Sequence, residues 1–390
     1  MATTTKLAEK PKDLFLLEGI SVITFNKDFT QVALSKKDHL IYIYKIENFQ
    51  NPSSWKLLHT LNMHILYVSC LDWNPVTNKI LTCSHDKTSY VCTYTDNEWT
   101  FENVVATTNL GYLSCYWNKR GDKFSECTGN KVFIAYFNTE SKWWMGIQLK
   151  EKKKDKGGEK EKKTAGGGGG SATALCAKID PTSLYCITGW TNNKVRICSC
   201  YIAATDEPYK QNENVEDFGT IIYEFKMGSW VIDVNWSDDG IAFACGQDST
   251  IAVIDFKNQK HDLIRCTHSP TTKIFPLNGS EFYSVSFDRN IRLYGKEGEN
   301  WKVKKEVTSK KEAPKSSAPS SGVNAFTGRT GGVADALKIF NTGGLKKKES
   351  IKVNSNENEN INPAVITGFA IKGDEIISVD MAGFVKFWKK

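Results

Sequence analysis

Apolar residues in this chain fall into short alternating runs, broken about every 8–12 positions by Asn, Asp, Gly or Pro. Residues 68–94 show the pattern: VSCLDW, NPVTNK, ILTCS, HDKT, SYVCTY. Residues 231–256 repeat it as VIDVNW, SDDG, IAFAC, GQDST and IAVIDF. A period of two turns every second side chain to one face, so each run predicts a strand and consecutive runs an antiparallel meander. The helical period is almost absent, and the predicted class is all-β.

A second regularity lies over the first. An Asp or Asn stands just before a short apolar strand seven times: Asp38, Asp86, Asn130, Asn192, Asp248, Asp288 and Asp380. Six positions further on come Tyr44, Cys92, Tyr136, Cys198, Ile254 and Tyr294, while the seventh copy is stretched by two and ends at Trp388. The repeats fall at 19–49, 65–100, 110–146, 173–203, 229–258, 268–296 and 364–390. A repeat of this length is one supersecondary unit that cannot bury its apolar face alone, so the units must stack.

Two interruptions stretch the spacing. Residues 150–171 combine a charge run with five consecutive glycines and predict a disordered low-complexity loop. Residues 301–362 form a second insert, rich in Lys, Ser, Gly and Asn. Without these two stretches 306 residues remain, about 44 per repeat, the length of a four-stranded propeller blade of the WD type. The prediction is one seven-bladed β-propeller spanning residues 1–390. The last repeat stops after its third strand, and Leu14-Phe15-Leu16-Leu17 is an apolar run with no repeat of its own. That N-terminal run supplies the missing outer strand and closes the ring, which removes an open sheet edge.

Charge and cysteine change the picture only slightly. The net charge of +7 suggests an anionic partner until it is located. Residues 150–163, 302–315 and 338–352 each carry +4, which leaves the rest of the chain at −5. Bulk charge therefore gives no argument for nucleic acid. The lysine tracts are interleaved with Glu and lack the aromatic residues of a stacking platform, which weakens an RNA-binding reading. No apolar run reaches the ~18–20 residues of a membrane helix, and MATTTKLAEKPKD has no apolar signal region. Eleven cysteines are scattered without a CxxC pair, and they read as buried free thiols in a reducing compartment.

Signals of catalysis are missing. There is no Walker-type glycine loop, no HExxH and no GxSxG. The six His, at 39, 59, 64, 85, 261 and 268, lack metal-ligand spacing. The seven Asp/Asn residues read as turn fasteners whose side chains accept backbone N–H bonds. His64, 22 residues before Asp86, is placed to support that Asp structurally. The expectation is a chain that is not an enzyme, with no metal and no cofactor.

Particular stretches resemble the WD-repeat subunit (subunit 1) of the actin-related protein 2/3 complex. They are FNKDFTQVALS from Phe25 to Ser35, LDWNPVTNKILTCSHDKTSYV, Trp143-Trp144, Tyr201-Ile202 with Asp206-Glu207-Pro208, and the fifth repeat's Trp230-Val231, Ser237, Gly240 and Asp248-Ser249-Thr250. The resemblance covers about residues 14–300 and 364–390, and a long insert between the sixth and seventh blades belongs to it. The 150–171 loop does not.

This resemblance implies a non-catalytic scaffold in a seven-protein complex that nucleates branched actin filaments. It implies as partners two actin-related proteins, the other subunits, the actin filament and nucleation-promoting factors, and a cytoplasmic place at the actin cytoskeleton. In the family a short amphipathic helix in the insert touches actin. The candidate here lies in Val323–Phe340: Ala325-Phe326-x-Gly-Arg329, then Val333, Ala336, Leu337 and Phe340 at i, i+3, i+4, i+7 spacing. Phe326, Arg329, Leu337 and Phe340 are the expected partner-binding residues. A helix this short is marginal alone, so it would order on a partner or remain a disordered loop. The alternative is a WD adaptor of another assembly, a ubiquitin-ligase receptor or a trafficking coat.

Overall fold

The computed structural model describes residues 14–152, 172–209, 215–307, 362 and 364–390. Their strands form seven four-stranded antiparallel meanders. The innermost strands are Val22–Phe25, Val68–Trp73, Tyr112–Trp117, Ala174–Ile179, Val231–Trp236, Thr271–Asn278 and Ile366–Lys372. Second strands are nearly all buried, as in Ile80–Ser84 and Ala242–Gly246, because a neighbouring blade covers each face, while third strands such as Ser89–Thr95 are buried over about half their length. Outer strands such as Lys260–Arg265 alternate between exposed and half-buried positions.

The ring closes through its core. Apolar clusters bridge the first and second blades (Ile43, Leu71, Trp73), the second and third (Leu81, Val91, Trp117), and so on around to the seventh and first (Ile20, Leu34, Ile377, Val385). Between the sixth and seventh, Phe275 stacks on Phe369 with centroids 4.2 Å apart. Each fully buried Ile, Val or Phe in such a seam contributes about 1.5–3 kcal/mol. The seventh blade has three strands of its own, Ile366–Lys372, Glu375–Asp380 and Phe384–Lys389. As the sequence predicts, its fourth comes from the N-terminal segment: Leu14–Phe15 pairs antiparallel with Phe384 and Val385.

Several boundaries differ from the sequence reading. Asn300–Glu306 is the outer strand of the sixth blade, so the stretch read as an insert from 301 begins later. Its pattern, NWKVKKE, hides the strand because nearly every side chain faces solvent. In the fourth blade a four-residue helix, Ala203–Asp206, precedes the outer strand Ile221–Lys226. The start of the 150–171 stretch is also held. The Lys152 N–H donates to the Gly219 carbonyl, Ile221 N–H donates to Lys152, both at 2.8 Å, and Glu151 is buried against Arg196. The rest of that stretch, from 153, lies outside the described residues. One seam is unusual: the outer strands Glu98–Val105 and Trp143–Gln148 pair in parallel, merging the second and third blades into one eight-stranded sheet. Among the described residues no helix is long and apolar enough to cross a membrane.

Candidate functional site

The repeated Asp/Asn residues occupy the turn between the second and third strands of their blades. Asp86 is the most fully bonded. It accepts from the N–H groups of Ile65 and Thr88, both at 2.9 Å, and from the Thr88 hydroxyl at 2.5 Å. His64, buried beside it, has Nδ1 3.1 Å from Asp86 and 3.0 Å from Thr88 Oγ1, and Nε2 3.1 Å from Thr82 Oγ1. Burial pushes the His64 imidazole below its ordinary value against the pull of Asp86. Asp86 is held low despite its burial by the Thr88 hydroxyl and the two amides. A neutral His and an ionised Asp with every bond directed inward tie a turn down.

The other copies vary. Asp38 accepts from Leu40 N–H at 3.2 Å and from the Tyr42 hydroxyl at 3.0 Å. Asn192 accepts from Lys194 N–H, Asp288 from Asn290 N–H and Asp380 from Phe384 N–H. Asp248 is bonded by the Ser229 and Thr250 hydroxyls. Asn130 stands at the start of the tight turn between Lys123–Thr128 and Lys131–Asn138.

These turns share one face of the ring with the segments that lead from each outer strand to the next blade. The same backbone bond links the two in five blades: His85 to Tyr67, Thr191 to Thr173, Gln247 to Trp230, Phe287 to Pro270 and Met381 to Val365, each N–H donating at 2.9–3.0 Å. Ile65, Leu66, Leu110, Trp230, Phe287 and Met381 stand on this face with their side chains in solvent, Ile65 at 80% and Trp230 at 52% exposure. Scattered apolar residues need no explanation, but several on one face of a ring are a concentration of exposed apolar surface.

The ring's centre is polar and largely self-satisfied. A cavity of about 290 Å³ is lined by Asp72, Tyr116, Lys178, Lys273 and apolar residues of the first and seventh blades. Lys178 lies 3.5 Å from Asp233, the Lys273 ammonium donates to the Tyr116 hydroxyl at 3.1 Å, and Asp72 accepts from Trp117 N–H at 2.8 Å. Burial raises Asp72 to about 6. Two lysines face two aspartates, so the site offers no net charge to an ionic substrate. Among the described residues no group of three His, Cys, Asp or Glu could hold a metal.

The expected partner-binding residues Phe326, Arg329, Leu337 and Phe340 lie outside the described residues. What the sequence reading missed is built from distant positions. Lys123, fully buried, donates to Asp206 at 2.6 Å and to the carbonyls of Ser183 and Cys200 at 2.6 and 3.0 Å, while Arg120 donates to Asp206 at 2.5 Å. The only sequence signal was a Lys beginning a buried strand. The channel charges had a clearer one: Asp72 and Asp233 are each the single charged residue of a mostly apolar inner strand.

Residues 55–91 match the family model described as WD domain, G-beta repeat. The chain is 26% identical over 282 residues, 70% of each chain, to Actin-related protein 2/3 complex subunit 1A-B of Xenopus laevis. It is 26% identical to subunit 1A of Arabidopsis thaliana, covering 78% of this chain and 77% of that one. Subunit 1 of Saccharomyces cerevisiae is 23% identical and spans 92% and 91% of the two chains. Among solved structures, the β-propeller domain of Cps50 (Swd1) from Myceliophteria thermophila covers 96% of this chain and 98% of its own, with a TM-score of 0.60 at 8% identity, a likeness of fold. The similarity to subunit 1 seen in individual stretches thus extends along most of the chain in frog, plant and yeast relatives.

Proposed function

We propose that this propeller is the non-catalytic WD-repeat subunit of an actin-related protein 2/3 complex, acting there as a rigid scaffold. The observation that carries the reading is the breadth of the similarity, up to 92% of the chain, to proteins named as subunit 1. The ring supports the scaffold role, because its seams are apolar and its channel charges cancel. The loop face with Ile65 and Trp230 is where neighbouring subunits, two actin-related proteins among them, would pack.

The insert after the sixth blade is the part proposed to reach the actin filament and nucleation-promoting factors, through Phe326, Arg329, Leu337 and Phe340. Its lysines favour encounter with the acidic filament surface. Such a subunit works at the actin cytoskeleton in the cytoplasm. The test is affinity purification of the tagged chain with mass spectrometry of what accompanies it. Two actin-related proteins in stoichiometric amounts are expected, and ubiquitin-ligase or coat components in their place would overturn the proposal. Deleting 320–345 should leave assembly intact and weaken branching on filaments; loss of assembly would count against the assigned role of the insert.

A further inference from the structure

The rim of the ring is not uniform. The outer strands of the fifth and sixth blades, Lys260–Arg265 and Asn300–Glu306, each leave one large apolar side chain in solvent, Leu263 and Val303. Where the second and third blades merge, five do so together: Phe101, Val105, Trp143, Met145 and Ile147, with Val105 at 51% exposure and Trp143 at 55%. The parallel register sets them on one face. Val104 lies beside Trp144, and Val105 beside Met145. Val104 and Trp144 are buried in the seam, so a period of two turns the other five to the opposite side.

The edges of the two strands meet here, and a Cβ on Gly146 would stand 2.8 Å from the Ala106 Cβ. The sheet uses the backbone groups at the middle of this strip, so an added β-strand finds no free edge there. A partner meets a face of side chains, and the element that packs on such a face is a helix. In register the strip runs from Phe101 to Ile147, about six residues or about 20 Å, the length of about four helical turns. Charge divides it. Asp96, Glu98 and Glu140 stand exposed at the Phe101 end against Lys142 alone. At the Ile147 end stand Lys131, whose ammonium donates to the Thr107 carbonyl, and the exposed Lys150. The chain's own continuation offers no cover, since residues 153–163 hold no apolar side chain. A second copy would touch only this strip, far below the ~800 Å² per partner of a stable dimer.

We propose that the merged rim of the second and third blades is a docking strip for an amphipathic helix of another protein. Its apolar stripe lies along Phe101, Val105, Trp143, Met145 and Ile147. Its last turn carries Lys or Arg over Glu98 and Glu140, and its first turn carries Asp or Glu over Lys131 and Lys150. That placement of charge also suits the helix dipole. The strip is distinct from the loop face that holds Ile65 and Trp230, and the inference does not depend on which assembly the chain joins.

The test is fluorescence anisotropy of the full chain with a labelled, lactam-stapled peptide of about four turns, bearing Leu at i, i+3, i+4 and i+7, Glu in the first turn and Lys in the last. Binding is expected, and Trp143→Ser should weaken it about tenfold or more. Val105→Ser should weaken it from the neighbouring strand, and Trp230→Ser should leave it unchanged. Exchanging the Glu and Lys ends should weaken it too, by a margin that shrinks as salt is added. No binding, equal binding of a peptide with the same residues scrambled, or loss with Trp230→Ser in place of Trp143→Ser would overturn the proposal. So would a dimer in sedimentation that Trp143→Ser dissolves, because the strip would then belong to a second copy.

Discussion

Replacing Asp206 by Ala removes the acceptor that Lys123, Arg120 and the Ile202 N–H share. Asp206 and Lys123 are both fully buried, and they join the third blade to the short helix inserted in the fourth. The Lys123 ammonium would keep only the carbonyls of Ser183 and Cys200, with no countercharge in contact. Breaking a buried pair from one side costs about 3–5 kcal/mol, because the orphaned charge stays desolvated. With an unfolding entropy of about 2.1 cal/mol/K per residue over roughly 300 ordered residues, the melting temperature should fall by about 5–8 °C. The assay is thermal unfolding followed by circular dichroism at low and high salt. A buried pair is screened little, so the loss should not depend on salt. Adding Lys123→Met removes the orphaned charge and should return part of the loss. A fall below about 1.5 °C (roughly 1 kcal/mol), or a double variant as destabilised as the two single ones summed, would refute the account.

Three further expectations follow from the same seams and turns. Glu126 is fully buried, neither carboxyl oxygen has a hydrogen-bond partner among the described residues, and burial raises it from 4.5 to about 7. The native state then holds its proton where the unfolded chain has lost it, so stability falls as pH rises from 4.5 to about 7, by about 3 kcal/mol in all; Glu126→Gln should flatten that slope in urea titrations at successive pH values. His64 has the opposite sign, because its depressed value gives stability that is complete above 6.5 and lost on acidification. His64→Ala should cost about 2 kcal/mol at neutral pH and remove that acid-side loss. Gly383 has φ +94°, and a Cβ there would sit 1.9 Å from the Leu17 carbonyl. Gly383→Ala should release the N-terminal strand, read as faster proteolysis before Leu16, at a cost of at least about 1–2 kcal/mol.

The repeat and its turn residues were legible because they are local, and the closing N-terminal strand because the last repeat is one strand short. Ile80–Ser84 is apolar at every non-Thr, non-Ser position, and Asp86 sits just beyond it. Outer strands were less legible: Asn300–Glu306 carries four charged side chains in seven residues, since a strand on the rim is covered on one side at most. Trp143 and Trp144 are adjacent in sequence and opposite in role. Trp144 is buried with its indole N–H on Glu102, while Trp143 stands 55% exposed. Period two predicts that they differ, but only the neighbouring blade decides which is which. The Lys123–Asp206 pair spans 83 residues, and the Lys178–Asp233 pair joins the inner strands of two blades. No local pattern encodes either, because each exists only once the blades are side by side.

Pairing of Leu14–Phe15 with Phe384–Lys389 also sets a schedule for the chain as it is made. Among the described strands, the first to be made has its partner only in the last. Until Phe384–Lys389 emerges, the growing blades form an arc with two bare ends. One end shows the first blade's seam, with Ile20 and Leu34 unpaired, and the other shows whichever blade was finished last. Bare apolar sheet faces of that kind invite wrong pairings. The nascent arc is therefore the stage at which this protein most needs a chaperone, and the closing strand ends that need in a single step.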